Sequence, residues 1–153
     1  MKSIFVALLM VGAPLGYAAD APPLTFYVQL IRGSDSEAPP TTEAHPVGAK
    51  LDHRLHDVFR WKNYWEVKRE TIAVNVGQTI RKHITPEREV ELTVPASGNM
   101  TVAIYADGKL TRKRKQSIDA AFYIAGGDND GPQPWFIVVR RDNPDNQGLA
   151  SMP

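Results

Sequence analysis

The sequence predicts an α+β domain, a mostly antiparallel β-sheet with one amphipathic helix packed on it. Three observations predict this class. One stretch carries apolar residues at helical spacing, several later stretches alternate apolar with polar residues, and turn residues separate those stretches at short intervals. We expect about six to eight strands, a number that leaves open both a sandwich and a partly closed barrel.

The length and composition indicate one folded domain. The chain has 153 residues, of which 42% are hydrophobic and 23% are charged. This length is sufficient for one hydrophobic core and short for two. We therefore expect a single domain over residues 19–153.

Residues 1–18 are typical of a secretory signal peptide. The basic residue Lys2 precedes an apolar run from Ile4 to Leu15. The small residues Gly16 and Ala18 occupy the two positions that a signal peptidase recognises. The apolar run is shorter than the roughly 20 residues that cross a bilayer. We expect cleavage after Ala18, no transmembrane segment in the remaining chain, and a periplasmic or secreted protein.

The charge balance and the absence of cysteine disfavour or exclude several classes of function. The chain has 18 Lys and Arg against 17 Asp and Glu, and the expected cleavage removes Lys2 and no acidic residue. A balanced charge disfavours a dedicated polyanion-binding protein and leaves only local charged patches. The chain contains no Cys, which excludes disulfides, a thiolate nucleophile and the lipid-bearing cysteine of bacterial lipoproteins.

The first predicted strand runs from Leu24 to Arg32. Apolar or aromatic residues occupy both of its alternating faces, which is typical of a strand that is covered on both sides and central in its sheet. Residues 33–46 follow, with three prolines and no large apolar side chain. We expect this segment to be a disordered loop.

The predicted helix follows that loop. Five apolar residues follow a 3.6-residue period and form one stripe, namely Val47, Leu51, Leu55, Val58 and Phe59. The stripe predicts that the helix packs on the sheet. At Trp61 the period of the apolar residues changes to two, which marks the start of a long strand.

An aromatic segment joins this helix to that strand. It contains four of the 13 aromatic residues of the chain, namely Phe59, Trp61, Tyr64 and Trp65. Aromatic side chains at such a junction are most often packed in the core. The alternative is a recognition surface, for which Trp61 and Tyr64 are the candidates.

The rest of the chain predicts short strands separated by turns. Residues 65–76, 79–84, 90–94, 102–104, 110–118, 121–125 and 135–141 have strand-like composition or alternation. The dipeptide Asp107-Gly108 predicts a tight hairpin, because a type I′ turn needs positive φ at both central positions. We expect a loop over residues 126–134 and a frayed tail over residues 143–153.

The most distinctive charged feature is a basic run without any acidic residue. Its five cationic residues are Lys109, Arg112, Lys113, Arg114 and Lys115. In a strand, the two arginines lie on one face and Lys113 and Lys115 on the other. A strand with charges on both faces cannot be central, so we expect an edge strand or a protruding hairpin.

Two interpretations of this run remain open. The cations could protect a sheet edge against aggregation, with neutralisation across the strands by Glu87, Glu89 and Glu91. Alternatively, they could contact an anionic envelope component or an acidic protein partner. No nucleic-acid-binding motif is present, so nucleic acid is not an expected partner.

Histidine and acidic patterns give no strong metal site. Asp52 and His56, like His53 and Asp57, are spaced four apart on the predicted helix, a spacing more typical of surface ion pairs than of metal ligands. The segment 128–131 resembles part of a calcium loop, but the first and twelfth loop positions would be glycine and isoleucine, which cannot supply the required ligands. We expect no metal and no cofactor.

The sequence contains no catalytic signature such as Gly-x-Ser-x-Gly or His-Glu-x-x-His. We therefore favour an exported, non-catalytic binding or assembly protein of the bacterial envelope that uses the basic run, with Trp61 and Tyr64 as further candidates. The alternative is a hydrolase of envelope glycan or peptide with an aromatic platform and an unassigned acid pair. A subunit that docks by strand addition is a third possibility. The oligomeric state is not indicated.

Overall fold

The computed structural model describes residues 21–126 and 134–148. In these residues, nine strands, one α-helix and one 3₁₀ helix follow one another along the chain. They are β1 (Leu24–Ser34), β2 (His45–Pro46), α1 (Ala49–His56), β3 (Asn63–Val74), β4 (Thr79–Thr85), β5 (Arg88–Thr93), β6 (Asn99–Ala106), β7 (Lys109–Ser117), β8 (Tyr123–Gly126), β9 (Trp135–Arg140) and the 3₁₀ helix Pro144–Gly148.

The strands form two antiparallel sheets, and neither sheet is closed. The first sheet has the order β2-β3-β1-β9-β8 and the second has the order β4-β5-β6-β7. The predicted α+β class is therefore confirmed, and the architecture is a sandwich rather than a partly closed barrel. The strand β1 is central, as predicted, because it pairs with both β3 and β9.

The main hydrophobic core lies between the two sheets. Both sheets contribute buried apolar residues from alternate positions of their strands, for example Val28 of β1, Ile72 of β3, Leu92 of β5 and Val102 of β6. This alternation is the strand period that the sequence shows most clearly at β5. The core consequently fixes which face points inward in each strand that contributes to it.

The helix α1 covers the outer face of the five-stranded sheet. Leu51 and Leu55 are fully buried and pack with Tyr64 and Phe136 in a second apolar cluster. The helix is shorter than its apolar stripe predicts, since it ends at His56 and leaves Val58 about 60% exposed. The molecule thus has three layers, with the helix, the larger sheet and the smaller sheet in that order.

The turn between β6 and β7 has the predicted geometry. Asp107 and Gly108 have φ values of 50° and 73°, the left-handed conformation that a tight hairpin needs at both positions. The nine-residue strand β7 therefore returns directly along β6.

Two segments outside the regular strands are held by side chains. In the loop after β1, Asp35 accepts a hydrogen bond from the backbone N–H of Lys62, and the Asn63 amide donates to the carbonyl of Ser36. In the 3₁₀ helix, Asp145 pairs with Arg69 of β3 at 2.6 Å. Disorder of 33–46 and fraying of 143–153 stay predictions, and the calcium-like segment 128–131 lies outside the described residues.

Candidate functional site

The basic run forms the strand β7, which is the edge of the four-stranded sheet. Every residue of β7 is exposed except Gln116, which is half-buried. The sequence thus correctly predicts an edge strand. We call its five cations, Lys109, Arg112, Lys113, Arg114 and Lys115, the basic arm.

The two faces of the basic arm have different surroundings. Arg112 and Arg114 pair in register with Ile104 and Val102, whose side chains point into the core. The arginines therefore lie on the inner side of the edge, where their charges act on the buried Tyr123 of β8. Burial raises the pKa of the Tyr123 hydroxyl, and the two arginines oppose that shift.

Lys113 and Lys115 lie on the outer face of the same sheet. Their partners in register are Ala103 and Thr101, which carry no charge. Both lysines are exposed, and they point away from the core between the sheets.

Two of the three glutamates expected to neutralise the basic arm lie on β5, with β6 between them and the arm. Glu89 pairs instead with Arg81 of β4 at 2.5 Å and with His83 at 3.4 Å. Glu91 accepts a hydrogen bond from the Tyr105 hydroxyl at 3.4 Å. The third, Glu87, is exposed in the turn before β5, and its backbone carbonyl accepts a hydrogen bond from Asp107.

The aromatic candidates lie at the opposite face of the larger sheet. Trp61 is half-buried, and the guanidinium of Arg60 lies 5.5 Å from the centre of its ring. Tyr64 is only about 2% exposed, and its hydroxyl faces the carbonyl of Leu55 at 3.5 Å. Burial raises the pKa of this hydroxyl. Tyr64 is consequently a core residue beneath α1, and Trp61 is the accessible aromatic side chain of the pair.

A cavity of about 440 Å³ adjoins Trp61. Its lining residues include Val58, Phe59, Arg60, Trp61, Gly126, Pro134 and Phe136. Tyr64 and the basic arm are not among them. The structure therefore does not bring the aromatic and cationic candidates together into one site.

A polar cluster that the sequence did not predict surrounds Glu66 of β3. This carboxylate is about 3% exposed and accepts hydrogen bonds from Gln29 and, at 2.7 and 3.1 Å, from Arg69. His45 lies 3.7 Å from it, and Arg69 also holds Asp145. The cluster borders a cavity of about 330 Å³ whose lining includes Glu43.

A cavity of about 620 Å³ lies beside the loop after β9. It is bordered by Lys50 of α1 and by Asp142. The buried Arg140 donates to Asp142 from Nε at 2.8 Å, and this contact lowers the pKa of the Asp142 carboxyl. Lys50 approaches the same carboxylate at 3.5 Å. These contacts tie α1 to the end of β9.

One of the two histidines of α1, His56, makes a surface contact. The His56 ring lies 3.3 Å from the Asp52 carboxylate, the ion-pair geometry that the four-residue spacing favours. Within residues 21–126 and 134–148, no group of three or more His, Cys, Asp or Glu side chains is arranged to hold a metal ion. In the same residues, no helix has the length and apolar character needed to span a membrane.

Comparison with known proteins identifies no relative. The chain matches no protein-family model, no curated protein and no solved structure.

Proposed function

We propose that this chain is an exported, non-catalytic binding or assembly protein of the bacterial envelope that contacts an anionic surface or partner through the basic arm. The observation that supports this proposal most is the position of the basic arm. It lies on β7, a nine-residue exposed edge strand with cations on both faces and no acidic residue. Such an edge can lie along a negatively charged surface without any rearrangement of the core.

The strand β5, which carries Glu89 and Glu91, lies too far from β7 for these glutamates to neutralise Lys113 and Lys115 fully. Neighbouring strands are about 4.8 Å apart, so the backbone of β5 lies roughly 10 Å from that of β7. This separation is comparable to the screening length of about 8 Å at physiological salt. Glu89 is, in addition, engaged by Arg81 and His83. The field of Lys113 and Lys115 is therefore only weakly offset by these glutamates.

The test replaces the two outward lysines, giving K113Q/K115Q. We expect binding to vesicles of anionic phospholipid at low salt to weaken by roughly 30-fold, since each cation near such a surface contributes about 1 kcal/mol. Co-sedimentation measures the effect. Arg112 and Arg114 are left in place, because their charges act on the buried Tyr123 and their removal would mix an effect on the core with an effect on binding.

The matched control is R54Q/K62Q, which removes two exposed charges from α1 and the following loop. Its binding should stay close to that of the unaltered chain. Equal weakening in both double variants, or no binding at low salt, would contradict the proposal. A parallel assay with an acidic polysaccharide distinguishes a polymer partner from a lipid surface.

Edge protection makes a different prediction for the same variant. If the lysines only prevent sheet-to-sheet association, K113Q/K115Q should aggregate more readily while vesicle binding is unchanged. Light scattering on the same samples separates the two explanations.

A hydrolase is the second candidate, and the polar cavity at Glu66 is the observation that favours it. Three carboxylates and one histidine border this cavity, namely Glu43, Glu66, Asp145 and His45. Glu66 is saturated by donors, as expected of a structural carboxylate, whereas the Asp145 side chain is about 72% exposed. A glycan or peptide hydrolase using this cavity should lose turnover in D145N with little change in melting temperature, because the ion pair of the exposed Asp145 with Arg69 contributes little to stability.

A further inference from the structure

One end of the core between the sheets is closed by tryptophan and arginine side chains. Arg32 of β1 is paired in register with Trp65 of β3 on one side and with Trp135 of β9 on the other. Trp135 belongs to the inner core, and residues in register share a face of the sheet. Three adjacent strands therefore place Trp65, Arg32 and Trp135 side by side on the inner face.

A second arginine reaches this row from the opposite sheet. Arg88 lies two residues before the buried Val90, so it also points inward, and its guanidinium lies 4.1 Å from the centre of the Trp135 ring. Burial, and secondly the charge of Arg88, lower the pKa of the Arg32 guanidinium. Two like charges are thus held close together in a partly buried position.

Both indole N–H groups in this row lack an acceptor among the described residues. Trp135 is about 3% exposed and Trp65 about 9%, so these donors are largely withdrawn from solvent. A buried donor without an acceptor is unfavourable and rare in folded proteins. Indole and guanidinium groups can only donate hydrogen bonds, so none of these four side chains can satisfy another.

We propose that this end of the sandwich, formed by Arg32, Arg88, Trp65 and Trp135, binds an oxyanion, the phosphate or carboxylate group of a small ligand. An oxyanion supplies acceptor oxygens to the indole donors, and the two guanidiniums attract its negative charge. Both arginines also have other interactions within the chain. Each guanidinium has five N–H donors, so it can serve a further acceptor. The site is independent of the basic arm.

The tryptophan content of the chain provides an internal control for the test. Of its three tryptophans, two line the proposed site, while Trp61 lies on the other side of the larger sheet beside α1. The ¹⁵N-labelled chain is titrated with inorganic phosphate and, separately, with acetate, with sodium chloride holding the ionic strength constant. The three indole N–H signals are followed by NMR and assigned with single Trp-to-Phe variants.

We expect saturable shifts of the Trp65 and Trp135 signals and no shift of the Trp61 signal. A response to phosphate alone would identify a phosphorylated ligand class, and a response to acetate a carboxylate class; both support an oxyanion site. The R88Q variant should bind roughly tenfold or more weakly, because it loses a charged donor. R81Q is the matched control, since Arg81 lies on the outer face of the same sheet and stacks on Tyr105.

Three results would overturn the proposal. The first is the absence of a saturable shift in both titrations, as expected if solvent serves these donors. The second is equal binding by R88Q and the unaltered chain, with R88Q shown to be folded by its backbone amide spectrum. The third is a saturable shift of the Trp61 signal as large as those of Trp65 and Trp135, which would mean that the anion does not act at this end of the sandwich in particular.

Discussion

Gly33 has no side chain at a position where Trp61 takes the space of one. A Cβ atom built on Gly33 would lie 2.7 Å from Cδ1 and 2.8 Å from Cγ of the Trp61 ring, and 3.3 Å from Phe136. Distances below 3.0 Å do not occur between real Cβ atoms and their neighbours, so one group has to move. The indole of Trp61 is thereby seated directly on the backbone of β1.

This close approach predicts a specific coupling between the two positions. We expect G33A to lower the free energy of unfolding by about 1–3 kcal/mol, the cost of overpacking a filled site. In a W61A background the same substitution should cost much less, because the ring is gone. Urea denaturation of the two single variants and the double variant measures the coupling. Additive costs would show that the ring yields to the new methyl group.

The polar cluster around Glu66 could not be predicted from the sequence, because its members are far apart along the chain. Its partners are Gln29, which is 37 positions away in the sequence, and Arg69, which also binds Asp145, 76 positions further on. Strand alternation places Glu66 on a face of β3, but it does not show which strands or loops meet that face. Only the assembled sheet brings these groups together.

The helix α1 depends on packing more than on its own ends. It has eight residues and no side-chain cap at its N-terminus, and helices this short are marginal in isolation. Leu51 and Leu55, both fully buried, attach it to the larger sheet. The ion pair between Lys50 and Asp142 is exposed and contributes little by comparison.

Truncating one of these leucines should therefore cost more than any change on the exposed side of α1. We expect L51A to lower the free energy of unfolding by about 2–5 kcal/mol, through lost burial and the cavity that remains. R54A, on the exposed side of the same helix, should change it by less than about 0.5 kcal/mol. Urea denaturation compares the two. Similar costs would mean that helix propensity, rather than packing, holds this element.

Local elements were predictable from the sequence, but their arrangement was not. Alternation at β5, the Asp107-Gly108 turn and the cations of β7 correctly indicated a strand, a hairpin and an edge, since each signal lies within a few neighbouring residues. The alternation of side chains along β7 also predicted that Arg112 and Arg114 lie on the opposite face from Lys113 and Lys115. It could not show that the arginines face inward, because that depends on the second sheet, whose strands are far away in the sequence.

At the scale of the molecule, the larger sheet carries apolar layers on both faces, and charged pairs join the layers at their margins. Glu70 of β3 lies 2.8 Å from Lys82 of β4, a contact that links the two sheets. Hydrogen bonding to Lys82 lowers the pKa of the Glu70 carboxyl, as Arg140 lowers that of Asp142. Both carboxyls thus hold their protons less tightly in the folded chain than in the unfolded chain.

The stability of the fold depends on pH because these groups bind protons with different affinity in the folded and unfolded chains. Because these folded-state pKa values are depressed, the unfolded chain binds more protons as pH falls, so the stabilisation is complete above the ordinary carboxyl pKa of about 4 and is lost below it. The pKa of His56 is instead raised, chiefly by its hydrogen bond to the Asp52 carbonyl. The stabilisation that His56 contributes is therefore fully present below about pH 6.5 and is lost at higher pH. It does not change between pH 3 and pH 5.

We expect the urea midpoint of the unaltered chain to fall steadily between pH 5 and pH 3, where His56 is charged in both states. In E70Q the midpoint at pH 5 should be lower and its decline shallower, because the titrating group of the inter-sheet contact is gone. At pH 3 the two chains should converge. E37Q, which alters an exposed loop carboxyl, should follow the unaltered chain throughout. Parallel curves for E70Q and the unaltered chain would show that the Glu70–Lys82 contact does not stabilise the sandwich, leaving the apolar core alone to hold the two sheets together.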